Sequence, residues 1–225
     1  MNLTVNSRYL VLLAAGAALP FAYAPFGYFW IAPLSFALLM YCWQGAPPML
    51  AFRFGFAFGL ASFLGGVHWV YVSVHDINQA PVAFAVLATL ALVVVLSQFV
   101  AVTGWIAARW FTTDGPGAWL VVLPALWVIT EWMRGWVFTG FGWLSTGYSQ
   151  SDSWLMGYAA VGGVHLMSWL VVLTAGVLLT LILGKKRLRL VAATVLLAVW
   201  GGGFFASSVS WTHAEGRELS VALVQ

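Results

Sequence analysis

The chain has 225 residues, of which 63% are hydrophobic and only 7% charged, and its formal net charge is +3. A soluble domain carries about 25% charged residues, so this composition excludes an ordinary soluble fold, and the small net charge gives no sign of a nucleic-acid partner. The single cysteine, Cys42, excludes an intramolecular disulfide and a cysteine-rich metal site.

Seven apolar segments follow one another, each near the roughly 20 residues that cross a hydrocarbon core of about 30 Å. Their approximate ranges are 8–24, 28–45, 50–74, 82–108, 117–137, 160–183 and 189–208. Glycines, prolines and short polar turns separate them. The sequence therefore predicts an all-α membrane protein whose residues 1–210 form a polytopic bundle of about seven transmembrane helices.

The first segment also has features of a signal peptide, because Ala22-Tyr23-Ala24 is a small-x-small motif of the kind found at cleavage sites. Pro25 would follow such a cut directly, and the later segments would hold the protein in the membrane in any case. We therefore interpret this segment as the first spanning helix.

The distribution of positive residues predicts the orientation of the bundle. With seven spans and a cytoplasmic N-terminus, the outer side carries only Arg134 and Arg217 among the lysines and arginines, as the positive-inside rule requires. The remaining ones fall on the cytoplasmic side and are Arg8, Arg53, Arg109, Lys185, Lys186, Arg187 and Arg189.

The character of the chain changes near residue 210. Polar residues follow, and then 219–225 is rich in β-forming side chains. We expect residues 211–225 to be a linker and the first strand of a soluble domain. A lone strand is not stable by itself, so the strand either docks elsewhere or belongs to a larger protein of which this sequence is a part.

Two polar stretches lie where the outer side is predicted. The first, residues 66–76, ends the third predicted span and contains Trp69, Tyr71 and Ser73. Its aromatic residues fit either a substrate role or an interfacial aromatic belt. His68 and His75 are seven residues apart, too far for both to bind one metal ion from a straight helix, so no metal site is predicted.

The second stretch, residues 130–150, is too polar and too rich in glycine for a plain span. Glu131 and Arg134 are spaced to pair on one helix face, and the pair either locks helices together or serves a substrate. Irregular backbone at membrane depth survives only beside protein or a water-filled cavity. We therefore predict a re-entrant or interfacial outer loop that borders an aromatic cleft.

Three classes of function remain compatible with these residues. No phosphate-binding glycine loop, zinc-binding helix or arranged catalytic triad is present in the sequence, and no cofactor is expected. A lipid-handling membrane enzyme is one class, a transporter the second, and a non-catalytic membrane anchor the third. Polar residues that cluster towards one face disfavour the transporter, which needs a polar path across the whole bilayer.

The same stretches resemble the apolipoprotein N-acyltransferases of bacteria. The run from Glu131 to Gln150 follows the family pattern T-E-x-x-R-G-W-x-x-T-G-F-P-W-L-x-x-G-Y-S-Q, with Gly142 where the pattern usually has proline. The other matching runs are Ala24-Pro25-Phe26, Trp69-Val70-Tyr71-Val72-Ser73, Ala125-Leu126-Trp127 and Val221-Ala222-Leu223-Val224-Gln225.

The resemblance implies an enzyme of the bacterial inner membrane that moves an acyl chain from a phospholipid to the N-terminal amine of a diacylglyceryl-cysteine lipoprotein. It also implies a periplasmic nitrilase-like domain whose cysteine, glutamate and lysine carry the chemistry through a thioester. No catalytic residue is therefore expected in this chain, and Cys42 is not the nucleophile.

The resemblance further implies that the two polar stretches shape the lipid and lipoprotein route, with Arg134 as a partner for a phosphate headgroup and Glu131 holding it. The predicted substrate-binding residues are Trp69, Tyr71, Ser73, Glu131, Arg134, Thr139, Phe141, Trp143, Tyr148 and Gln150.

Overall fold

The structure, a computed structural model, describes residues 3–212, 215–216 and 220–223. Seven apolar helices dominate the described part. They are α1 (Val5–Ala18), α2 (Ile31–Trp43), α3 (Pro48–Gly66), α4 (Val82–Trp110), α5 (Gly115–Arg134), α6 (Ala159–Leu183) and α7 (Lys186–Ser207). Successive helices run in opposite directions, so the bundle has a loop end, with residues 19–30, 67–81 and 135–158, and a basic end, with residues 44–47 and 184–189.

By length and composition, six of these helices are suited to cross a membrane. Helix α1 reaches this length together with the 3₁₀ turn Leu19–Ala22, which extends it to Val5–Ala22. The exception is α2, which has 13 residues and a length of about 20 Å at 1.5 Å per residue. It begins only at Ile31, because the preceding residues turn around Gly27, whose φ is 69°. The predicted count of about seven is thus met by six helices of spanning length and one shorter apolar helix.

The third helix is shorter than the predicted span 50–74. Helix α3 ends at Gly66, where Val67 leaves helical geometry with φ −119° and ψ 15°. A separate turn of helix, Trp69–Val72, follows and continues into a wide turn at Ser73–Ile77. Residues 68–76 therefore lie beside the bundle rather than on its third helix.

The predicted C-terminal strand is not formed in the part of it that the structure describes. Ser220–Leu223 has no regular secondary structure, while Leu219, Val224 and Gln225 lie outside the described residues. An isolated strand has no neighbour to satisfy its backbone hydrogen bonds. The soluble domain inferred for residues 211–225 stays a prediction.

Helices α3 and α4 approach each other closely through small residues. Between apolar helices in lipid the hydrophobic effect gives little net attraction, so small residues that let backbones approach provide the packing. Gly55 and Gly59 lie one turn apart on α3, and a Cβ on Gly55 would lie 2.6 Å from the carbonyl oxygen of Val100. A Cβ on Gly59 would lie 3.0 Å from the Cα of Ser97.

We predict that Gly55→Ala lowers the free energy of unfolding by about 1–3 kcal/mol, because the added methyl group forces α3 and α4 apart. Gly201→Ala is the matched control, since a Cβ at Gly201 in α7 would meet nothing within 4 Å. Thermal unfolding of the purified protein in detergent measures both. Equal effects of the two substitutions would contradict the packing account.

Candidate functional site

The backbone at the loop end departs from regular structure for about twenty residues after α5. Short 3₁₀ turns at Val137–Thr139, Thr146–Gln150 and Trp154–Tyr158 interrupt the irregular chain. Phe138, Thr139 and Leu144 have φ values of 54°, 72° and 56°. Such left-handed conformations are strained for side chains other than glycine, so contacts from elsewhere must hold this loop in place.

Arg134, at the last turn of α5, supplies the principal contacts to the loop. Its Nη1 donates hydrogen bonds to the carbonyl oxygens of Phe141 at 2.6 Å and Trp143 at 2.7 Å. Its Nη2 lies 3.4 Å from Ser145 Oγ, and its guanidinium lies over the ring of Phe63 at 5.6 Å. The side chain is only 4% exposed. One charged group thereby contacts every second residue of the loop from Phe141 to Ser145.

Glu131, one turn earlier on α5, anchors the end of the same loop. Its Oε1 accepts a hydrogen bond from the backbone N–H of Thr146 at 2.7 Å and lies 3.9 Å from Nη2 of Arg134. The indole N–H of Trp127 donates to Thr146 Oγ1 at 2.9 Å. The predicted ion pair is therefore present, but its shortest hydrogen bonds are made to the loop rather than between its two members.

Tyr23 connects the first helix to this loop, and sequence reasoning did not identify it. It follows the 3₁₀ turn Leu19–Ala22, and its hydroxyl donates to the carbonyl oxygen of Leu144 at 3.1 Å. Burial raises the pKa of the Tyr23 hydroxyl well above its usual range, and the negative charge of Glu131 adds to the rise. Tyr23 therefore stays protonated and keeps its donor role.

The Leu144 side chain is seated against the end of α3. A Cβ on Gly66 would overlap the Leu144 methyl groups, so a glycine is required there for this approach. Only its position in the Gly65-Gly66 pair, at the end of an apolar run, marks it in the sequence.

An open cleft of about 690 Å³ lies outside this network at the loop end. Its volume falls in the range of small-molecule binding pockets. The rings of Trp69 and Trp143, which both line it, pack against each other with their centroids 5.0 Å apart. The lining residues are Pro20, Tyr23, Ala24, Pro25, Phe26, Gly65, Gly66, His68, Trp69, Gly142, Trp143, Leu144, Tyr148 and Ser151.

A second, narrower cavity, partly open to its surroundings and with about 30 Å³ of space, lies on the bundle side of the cleft. Glu131 and Arg134 line it, and Pro20, Tyr23 and Leu144 border both spaces. These three shared residues form the floor of the cleft, and the buried charged pair lines the cavity on the other side of it.

Of the predicted site residues, Trp69, Trp143 and Tyr148 line the cleft, and Glu131 and Arg134 line the cavity beneath. Phe141 contributes its carbonyl oxygen to Arg134. Gly142, the departure from the family pattern, borders the cleft, and a Cβ there would meet nothing within 4 Å.

The other four predicted residues line neither space. Tyr71 packs its ring against His75, and the Ser73 carbonyl oxygen accepts from the Asn78 side chain. Thr139 is exposed at the tip of the loop. Gln150 is fully buried, with its amide nitrogen donating to the carbonyl oxygen of Phe29 at 3.2 Å and its Oε1 accepting from Ser153.

Comparison with known proteins places the chain in a family. Residues 15–177 match the apolipoprotein N-acyltransferase N-terminal domain. Apolipoprotein N-acyltransferase of Methylococcus capsulatus is 42% identical over 220 residues, which are 96% of this chain and 43% of that protein.

The enzymes of the same name from Chromobacterium violaceum and Azotobacter vinelandii are 38% and 41% identical, over 99% and 96% of this chain and 44% and 42% of their own lengths. The chain thus spans less than half the length of these curated relatives. The resemblance inferred from the motifs is confirmed: the chain belongs to the apolipoprotein N-acyltransferase family and contains its N-terminal domain.

Proposed function

We propose that this chain is the lipid-binding membrane part of an apolipoprotein N-acyltransferase. Its cleft receives the phospholipid acyl donor and the diacylglyceryl group of the lipoprotein acceptor, and it presents them to the catalytic groups. Family membership supports this assignment over a transporter or a passive anchor.

The observation that carries the proposal is the aromatic cleft at the loop end. A diacyl lipid has apolar chains and a polar headgroup, so its site needs an apolar wall near the membrane surface and polar groups at one edge. Trp69, Trp143 and Tyr148 are amphipathic rings of the kind that settle at the headgroup level, and His68 and Ser151 place polar atoms on the rim.

The acyl-transfer chemistry, in this proposal, belongs to the part of the relatives that this chain does not span. Cys42 is unsuited to serve as the nucleophile. It is fully buried near the end of α2 that faces the basic end, and its Sγ lies 4.0 Å from the carbonyl oxygen of Arg8. The cleft lies at the opposite end of the bundle, so a thioester on Cys42 would be out of reach of a lipid in the cleft.

Arg134 acts in this proposal as a positioning residue rather than as a ligand of the lipid phosphate. Its two terminal nitrogens already face three loop oxygens and the Glu131 carboxylate. A headgroup would have to displace these contacts in a buried setting, where an unpaired polar group is costly.

The proposed location is the bacterial inner membrane, with the basic end in the cytoplasm and the cleft on the periplasmic side. The cationic side chains at and around 184–189 support it, since Lys185, Lys186, Arg187 and Arg189 are exposed together there. At the loop end, Arg134 is buried, and its guanidinium contacts loop atoms rather than the surface.

Photo-crosslinking tests the cleft. A phospholipid with a diazirine in its acyl chain, reconstituted with the protein, is expected to label the cleft lining. Trp143→Ala should reduce this labelling about tenfold, the change that follows from losing roughly 1.4 kcal/mol of ring contact. Trp110→Ala is the control, because Trp110 is an exposed aromatic residue at the other end. Labelling spread evenly over the lipid-facing helices would refute the cleft as the site.

Arg134→Lys distinguishes the two roles of this residue. Lysine keeps the charge that a phosphate needs, but its single nitrogen cannot replace both Nη1, which donates to the Phe141 and Trp143 carbonyl groups, and Nη2, which lies near Glu131. We expect the free energy of unfolding to fall by about 2–4 kcal/mol and cleft labelling to fall with it. Arg109→Lys, at an exposed position of α4, should change neither. Stability and labelling both retained in Arg134→Lys would instead indicate that the positive charge alone is needed, as a direct contact with the headgroup requires.

The proposed orientation is tested by cysteine labelling in a Cys42→Ala background. Phe138 is 84% exposed at the loop end, and Lys186 is exposed at the basic end. A membrane-impermeant maleimide added to cells with a permeabilised outer membrane should modify Phe138→Cys and leave Lys186→Cys unmodified until the inner membrane is opened. The reverse pattern would overturn the orientation.

A further inference from the structure

The carboxylate of Glu131 is only half satisfied by protein groups. The side chain is 2% exposed, and its Oε1 accepts from Thr146. Its Oε2 is buried and has no hydrogen-bond partner among the described residues. A buried charged oxygen without a partner is expensive, so something other than these side chains must meet it.

Glu131 lines the partly open cavity of about 30 Å³ on the bundle side of the cleft. A cavity needs roughly 10–15 Å³ to hold one water molecule, together with two to four polar partners. Oxygen atoms surround this space on several helices. The polar lining residues besides Glu131 and Arg134 are Tyr23, Ser62, Thr103, Thr130 and Thr146.

These hydroxyl groups retain hydrogen-bonding capacity. Ser62 Oγ donates its hydrogen to the carbonyl oxygen of Phe58 at 3.0 Å, which leaves its lone pairs free to accept. Thr103 and Thr130 share one hydrogen bond of 2.7 Å between their hydroxyl groups, and each oxygen has two lone pairs. A water molecule that donates to Oε2 therefore has a second acceptor in the same cavity.

The chemistry of the cavity selects water over other occupants. Among the described residues, the one arginine or lysine that lines the cavity, Arg134, already faces three loop oxygens and Glu131, so a phosphate group would find no free positive partner there. A metal cation is disfavoured because the guanidinium of Arg134 already lies 3.9 Å from the carboxylate and would repel a second positive charge.

We propose that this cavity is a binding site for one ordered water molecule, or two, which supplies the hydrogen bond that Glu131 Oε2 lacks. The water joins the charged pair to hydroxyl groups from α3, α4 and the turn after α1. Tyr23, which holds the carbonyl oxygen of Leu144, borders the same space. The cleft floor thus lies on a hydrated polar layer rather than on a dry apolar core.

A structure of the intact chain in a lipid nanodisc, at a resolution that shows ordered water, tests the proposal directly. Density within hydrogen-bonding distance of Glu131 Oε2, about 2.5–3.2 Å, is the expected result. A cavity that is dry at that resolution, or an Oε2 bonded to a protein donor instead, overturns it.

Val100→Ile gives a second test, because Val100 lines the cavity and isoleucine adds one methylene without losing helix propensity. If water is displaced, the unfolding midpoint should fall by roughly 3–10 °C, with the ordered density lost. A dry cavity would be filled, and a raised midpoint would refute the proposal. Val95→Ile is the control, since Val95 is exposed on the same helix and should leave the midpoint unchanged. Both readouts are independent of lipid binding, so they stand apart from the proposed function.

Discussion

The fold of the loop depends on hydrogen bonds between the buried guanidinium of Arg134 and carbonyl groups of the loop, because each provides the partner that the other needs. After α5 ends, the carbonyl oxygens of Phe141 and Trp143 have no helical partner, and buried carbonyl groups need a hydrogen bond. An arginine presents five N–H donors in a planar fork, and here two of them meet those oxygens at 2.6 and 2.7 Å. Glu131 balances the charge and takes the backbone N–H of Thr146. The cleft keeps its shape because these hydrogen bonds satisfy nearly all the polar groups of the charged pair and the loop.

The same network explains how strained backbone persists in the loop. Leu144 has a positive φ, which costs energy for a residue with a Cβ. It is held from three sides: by Tyr23 through its carbonyl oxygen, by the side-chain space that Gly66 leaves, and by the arginine contact to the preceding residue. Backbone conformations of this kind persist where the surroundings over-determine them, and here the result is a floor beneath an open cleft.

The helices of the bundle differ in how closely they pack: α3 and α4 are in close contact, whereas α7 is mostly exposed. Helix α3 approaches α4 through Gly55 and Gly59, which brings backbone atoms close to each other. Helix α7 is the contrast, because only 11% of its apolar stretch is buried. Its main anchor to the loop end is Tyr158, whose hydroxyl donates to the Val199 carbonyl oxygen at 2.9 Å. The cleft is built on the close-packed side, where α1 and α3 end.

The sequence by itself determined the membrane class, most of the helices, the polar loop after α5 and the pairing of Glu131 with Arg134. These features follow from local rules: apolar length against bilayer thickness, and side-chain spacing along one helix. It also singled out Trp69, Trp143 and Tyr148, because aromatic residues in an irregular stretch stand out.

Only the tertiary structure decided what those residues contact. Tyr23 and Gly66 belong to the site because the ends of α1 and α3 meet the loop at Leu144. Residues so far apart in the chain leave no periodic pattern from which this contact could be predicted. Gln150 is a polar residue of the same motif as its neighbours, yet it is buried against Phe29. The end of α3 at Gly66 could not be predicted either, because the apolar sequence continues past it. Local patterns state which groups need partners, whereas the packing of distant segments decides which partners they find.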